Sequence, residues 1–279
     1  GITYKFIWSQ VDNSLQKFLI INDVYVYDLF CGQGIYEDGG KGSPVIILET
    51  IKNLYYRNKA EGKAISNLHC HFNEVDINQL EKLSRAIKTK SVHYDYISDL
   101  KISNKNFQDA VPELKQKLTD FKNRERAFIF IDPYGYKDIS VSQINDLIKS
   151  GKSEVLLFLP TQFMFRFEEK GTPESLKKFI SELVPENAWP KSSTGLEFIE
   201  NLTIAFRNKL SDSFFIDSFI ITRDTNQFFC LFFFTSHIYG FEKMLEAKWK
   251  IDTQEGRGWK SSEDNDLFSS AGKRIAITH

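Results

Sequence analysis

The chain of 279 residues sets 36 Lys and Arg against 37 Asp and Glu, a formal net charge of −1, and is 42% hydrophobic and 14% aromatic. That supports a large buried core and excludes a whole-chain cationic field for holding nucleic acid, so any such surface is local. The longest apolar run, Phe228 to Phe234, has seven residues where a membrane-spanning helix needs about 20, and no basic stretch followed by an apolar one opens the chain, so neither a membrane span nor a secretion signal is expected.

Seven short β-branched or aromatic segments bounded by turn residues read as strands: Val24–Leu29, Leu68–Asn73, Ser91–Tyr94, Ala127–Ile131, Glu154–Leu159, Phe214–Thr222 and Gln227–Thr235. Helical stretches at Pro44–Lys59, Ile77–Lys88, Phe107–Phe121 and Val141–Lys149 separate the first five, which predicts a parallel sheet with helices on both faces. Thr161–Ser213 reads as a helical insertion in a single domain spanning residues 1–279, with periodicity at Leu176–Leu183 and Leu196–Leu210 and a turn at Pro185 and Pro190. Only residues 223–226 separate the last two strands, which permits nothing but an antiparallel hairpin. Phe241–Lys250 reads as a helix, and Gly256, Gly258 and the residues after them as a loop. A parallel core followed by an antiparallel pair is the pattern of class I methyltransferase folds.

The most informative stretch is the end of the first strand, Tyr27-Asp28-Leu29-Phe30-Cys31-Gly32-Gln33-Gly34. An apolar strand ends in a carboxylate, and two glycines let the backbone turn tightly beside a ligand. In a dinucleotide site the third glycine of G-x-G-x-x-G would fall at Glu37, which a pyrophosphate would meet unfavourably. S-adenosylmethionine carries no phosphate, and its positive sulfonium and amino groups suit Asp28. Asp28, Phe30, Cys31, Gly32 and Gly34 are therefore the candidate cofactor turn; the alternative is a tight connection without ligand. Residues 35–42 read as a flexible excursion, equally a solvent loop or a substrate lid, with Ser43 as N-cap and Pro44 as first helical residue.

Acids also close the next strands. Glu74 is placed to accept the ribose hydroxyls of an adenosine, while Asp76 is read as a helix cap. Asp95 is either an acceptor for the adenine amino group or an exposed turn residue. The fourth strand ends in Asp132-Pro133-Tyr134-Gly135. In an open α/β sheet this turn converges on the glycine turn. Asp132 can then accept N–H bonds from an amino-group acceptor, Pro133 stiffens the turn and Tyr134 stacks on the acceptor ring; a plain strand-to-turn element is the alternative.

Other signals read as structural. His69 and His71 point to one side of a strand and Cys70 to the other, against a metal site. The Phe228–Phe234 run reads as core rather than a base-stacking platform. Cys31, Cys70 and Cys230, odd in number and in apolar segments, predict reduced thiols and a cytoplasmic protein.

Together, Tyr27–Gly34, Tyr36-Glu37-Asp38-Gly39, Gly42-Ser43-Pro44, Phe130–Gly135, Glu242-Lys243-Met244 and Trp249-Lys250-Ile251-Asp252 resemble the three-Cys-motif partner protein family. The resemblance implies a Rossmann-like class I methyltransferase fold: a mostly parallel seven-stranded sheet with a C-terminal antiparallel hairpin. It also implies association with a separate cysteine-motif partner protein. Cytosine carbon-5 methyltransferases, which share the Asp-Leu-Phe-Cys-Gly start, need a Pro-Cys nucleophile, and here the cysteines follow Phe30, His69 and Phe229. The Asp-Pro-Tyr-Gly turn is similar to those of nucleic-acid amino-methyltransferases. The sequence thus reads as an S-adenosylmethionine-dependent methyltransferase of a nucleic-acid base amino group. The rival reading is a non-catalytic, methyltransferase-like binding subunit working with a partner.

Overall fold

Alternating strands and helices dominate the computed structural model, which describes residues 21–90, 97–135, 139–170, 173–185, 188–223 and 227–260. They group into two units: one runs to Asp132 and includes Lys152–Glu154, the other comprises Pro133–Gly151 and the chain from Val155 onward.

In the first unit the order is β1 (Asp23–Asp28), α1 (Ser43–Ala60), β2 (Asn67–Asn73), α2 (Ile77–Lys90), β3 (Asp99–Ser103), α3 (Phe107–Asp120) and β4 (Glu125–Ile131). β1 pairs in parallel with β2 and β4, and β2 with β3, giving the order β3-β2-β1-β4. Right-handed crossovers put α1 and α2 on one face and α3, which returns across the sheet, on the other. Alternation along β1 then separates two chemistries. Val24, Val26 and Asp28 face the side of α1 and α2, whereas Tyr25 and Tyr27 face α3, whose Lys117 lies over both rings.

The strand expected at Ser91–Tyr94 lies outside the described residues; the strand that pairs with β2 is instead Asp99–Ser103. It is an outer strand of this order, and its alternation of Asp99 and Lys101 with Leu100 and Ile102 carries too little apolar signal to be read from the sequence. Ser43 is not the N-cap of α1 but its first residue, buried; Gly42 caps without a side chain, and Pro44 lies in the first turn as expected. Residues 35–42 close on themselves through an Ile35–Lys41 bridge and Gly42 N–H donating to the Gly34 carbonyl at 2.7 Å, rather than making an open excursion.

The second unit contains α4 (Val141–Ile148), β5 (Ser153–Leu159) from Val155 on, α5 (Thr161–Lys170), α6 (Glu174–Leu183), α7 (Gly195–Lys209), β6 (Phe215–Arg223), β7 (Gln227–Thr235), α8 (Ile238–Ile251) and β8 (Gly258–Lys260). The β6–β7 pair is antiparallel, as the short connection requires. Phe206 of α7 meets Phe232 and Phe234 on one face of the hairpin, while Phe241 and Lys248 of α8 meet Phe215 and Asp217 on the other. The phenylalanine run is thus core, with Cys230 through Phe234 at most 1% exposed. Two features escaped the sequence reading. The insertion holds a third helix, α5, and the expected loop at Gly258 is a strand parallel to β6. A Cβ on Gly258 would lie 3.0 Å from the Ile220 carbonyl oxygen, so the glycine there permits strand contact rather than marking a loop.

The class is the expected one: α/β, mostly parallel, with a C-terminal antiparallel hairpin and helices on both faces. No helix among the described residues is long and apolar enough to cross a membrane.

Candidate functional site

The parallel register assembles the acids. Asp28 pairs with Phe72 on β2 and Phe130 on β4. Two residues further along those flanking strands come Glu74 and Asp132, so the pleat brings three carboxyl groups to one end of the sheet. Asp28 is 0% exposed, and its carboxyl is pushed up to about 7, first by burial and then by the negative charges of Asp132 and Glu74, against hydrogen bonding from Ser43 and the Phe30 N–H. Its Oδ2 is buried and has no hydrogen-bond partner. An orphaned carboxylate oxygen inside an acidic cluster is costly unless a donor or a positive charge meets it.

The glycine turn is held by the same acids. Glu74, 1% exposed, accepts the Gly32 N–H at one oxygen and the Asp76 N–H at the other, each at 3.0 Å. Glu74 therefore braces the turn, a task the sequence reading did not assign to it. Asp76 caps α2 as expected, its Oδ1 accepting the Asn78 N–H at 2.8 Å. Gly32 and Gly34 both take left-handed φ, 62° and 79°. Their surroundings differ. A Cβ on Gly34 would sit 2.6 Å from Leu83 Cδ1, whereas on Gly32 it would meet only Gln79 Oε1 at 3.4 Å. Gly34 is thus required by packing, and Gly32 is the position where the backbone stays approachable.

Phe30 and Cys31 contribute differently from the glycines. The Phe30 ring stacks on Phe107 at 5.0 Å, and Cys31 is 3% exposed with its N–H donated to the Asn73 carbonyl. Burial pushes the Cys31 thiol far up, so it stays protonated. Asp95 lies outside the described residues. At the corresponding end of β3, Asn104 donates to the Glu74 and Val75 carbonyls at 2.8 and 2.7 Å, and Asn73 accepts from Ser103 Oγ at 2.8 Å. These asparagines fix the strand ends; their only sequence signal is a turn-forming residue after a strand. Pro133 is buried and Tyr134 is 67% exposed. Tyr36 was overlooked as a site residue. Burial raises its hydroxyl pKa, with Asp132 and then Asp28 adding to the shift, which puts a half-exposed ring within electrostatic reach of the acids. Among the described residues, no group of His, Cys, Asp and Glu is arranged to hold a metal.

No protein-family model and no curated protein matches the chain. Similar solved structures do exist. Protein LPL1258 from Legionella pneumophila str. Philadelphia 1, of family DUF519, matches with a TM-score of 0.52 at 14% identity, covering 90% of each chain. The methyltransferase domain of a bacterial Hen1 matches at 0.37 and 11% identity over 82% of this chain and 98% of that one. An rRNA methylase from Streptococcus thermophilus matches at 0.36 and 8% over 80% and 92%. The first likeness shows the fold alone, a Rossmann-like α/β sheet.

Proposed function

We propose that the chain is an S-adenosylmethionine-dependent methyltransferase whose acceptor is an amino group of a nucleic-acid base. The observation that carries this reading is the buried Asp28 carboxyl, one oxygen unpartnered, beside the approachable backbone of Gly32. Three carboxyl groups around a glycine turn repel a pyrophosphate and favour a ligand carrying positive charge. Bound there, S-adenosylmethionine supplies an electrophilic methyl group. Asp28 would meet the cationic end of the cofactor, Gly32 would give it room, and Glu74, which keeps the turn in place, would accept from the ribose. Asp132, partly exposed, accepts N–H bonds from the acceptor amine as that nitrogen becomes positive, and exposed Tyr134 offers a stacking face. Resemblance to three-Cys-motif partner proteins adds a cysteine-motif protein as the expected partner.

The net charge of −1 favours a second reading, a binding subunit that keeps the cofactor and leaves catalysis to its partner. A tritiated-methyl transfer screen over DNA, RNA and protein pools, with and without the partner, separates the two. Transfer into nucleic acid that falls about 10²–10⁴-fold in Asp132→Ala, at unchanged cofactor affinity, is the expected result. Cofactor binding with no transfer in any pool selects the binding subunit instead.

A further inference from the structure

On the face of the first sheet opposite Asp28, beneath α3, lies a cavity of about 290 Å³. Leu29 and Leu114 give it an apolar wall, but its polar lining is unusual for the space between a helix and a sheet. Tyr27 is 6% exposed, and its hydroxyl is buried with no hydrogen-bond partner. His71, on the neighbouring strand, has an equally orphaned Nε2, with Asp99 no closer than 3.7 Å. Three lysines join them. Lys101 and Lys105 are drawn to Asp99 and Glu113, but Lys117 pairs with no carboxylate within 4.0 Å among the described residues and lies 4.3 and 5.6 Å from the Tyr25 and Tyr27 ring centres. Two buried orphaned polar atoms beside an ammonium that pairs with no carboxylate among the described residues are costly in a merely structural cluster, and a ligand that accepts hydrogen bonds and carries negative charge meets the ammonium and the Tyr27 hydroxyl together.

We propose that this cavity binds a small anion, phosphate or a small phosphate monoester, with Lys117 and the Tyr27 hydroxyl on the anionic group and Lys101 and Lys105 at the mouth. Phosphate oxygens are acceptors that suit ammonium and phenol donors, and the modest volume selects a small molecule over a polymer. Successive residues of a strand face opposite ways, so Tyr27 turns away from the Asp28 side and the site is separate from the cofactor turn.

Isothermal titration of the full chain with inorganic phosphate, ribose 5-phosphate and uncharged ribose tests this. Saturable one-to-one binding of either anion and none of ribose is expected; the tighter of the two identifies a free or an esterified phosphate as the natural chemistry. Lys117→Gln and Tyr27→Phe should each weaken binding about tenfold or more. Tyr27→Phe removes a hydroxyl that has no partner, so it should fold at least as well as the wild type, which keeps its result readable. Saturating S-adenosylhomocysteine should leave anion affinity unchanged, so this site and the cofactor reading stand or fall separately. No saturable anion binding, affinities unaffected by both substitutions, equal binding of ribose, or competition with S-adenosylhomocysteine would each overturn the assignment.

Discussion

Asp28 has a folded-state pKa of about 7, raised from 3.8, so its proton is held more tightly in the folded chain than in the unfolded one. Its stabilising contribution is present below about pH 4 and is lost as pH rises towards 7, a cost on the order of a few kcal/mol for a fully buried group. His71 acts in the opposite sense. Burial, then the charges of Lys117 and Lys101, lower its pKa from 6.5 to about 4, so the stability it gives is lost as pH falls through that window. Asp28→Asn should therefore raise the urea midpoint of the ligand-free protein at pH 8 and leave a profile that climbs from pH 4 to 6.5; coincident wild-type and variant midpoints at pH 8 would count against the buried charge. Beside it, Gly34→Ala meets Leu83 at 2.6 Å as well as left-handed strain, whereas Gly32→Ala meets the strain alone. Gly34→Ala should cost about 2–4 kcal/mol in denaturation and Gly32→Ala about 1–2 kcal/mol. Equal losses would remove the distinction between a packing glycine and an approachable one. The acids and glycines were legible because residue type and a strand end together state a chemistry. Tyr36 was not, because its relation to Asp28 and Asp132 exists only once residues 35–42 close.

At the scale of elements, legibility followed the strength of the apolar pattern. β1, β4 and β7 are buried and were read within a residue or two. β3 carries Asp99 and Lys101 on an outer strand, so it shows no strand signal in the sequence; the segment read as a strand at Ser91–Tyr94, and Asp95 after it, lie outside the described residues. The C-terminal element was missed for another reason: β8 is only three residues long, and what holds it is Asp252, 1% exposed, whose two oxygens accept N–H bonds from Gln254, Glu255, Arg257 and Gly258. Those four bonds hold its carboxyl below the usual range despite burial. Asp252→Ala leaves these donors without their acceptor and should lower stability by about 2–4 kcal/mol, read as a drop in melting temperature, with S-adenosylhomocysteine affinity unchanged. A melting temperature equal to wild type would show that the turn does not depend on the carboxylate. The thiols belong to this scale too. Cys31, Cys70 and Cys230 are at most 3% exposed, and burial pushes each thiol up. None should react with a disulfide reagent in the native state, and Cys31→Ala and Cys230→Ala should retain methyl transfer. Loss of transfer in both folded variants would reinstate a cysteine nucleophile.

For the molecule as a whole, near-neutral net charge hides an uneven placement. One face of the first sheet gathers carboxyl groups at Asp28, Glu74 and Asp132, while around the cavity on the other Lys101 and Lys105 are balanced by Asp99 and Glu113 and Lys117 lies over tyrosine rings. The parallel core, the antiparallel hairpin and the turn chemistry could be read from the sequence, since they rest on local periodicity and residue type. The orphaned atoms at Asp28, Tyr27 and His71 could not, because an unmet hydrogen bond is a property of the packed state. The central claim is that the acidic glycine turn holds a cationic adenosyl cofactor. Calorimetric titration of the chain with S-adenosylmethionine and with NADH at pH 8 and pH 5.5 tests it most directly. The account predicts one-to-one binding of S-adenosylmethionine that weakens at pH 5.5 as Asp28 gains its proton, strong loss in Asp28→Asn, and no binding of NADH. Binding of NADH with none of S-adenosylmethionine, or S-adenosylmethionine affinity indifferent to both pH and Asp28→Asn, would contradict it.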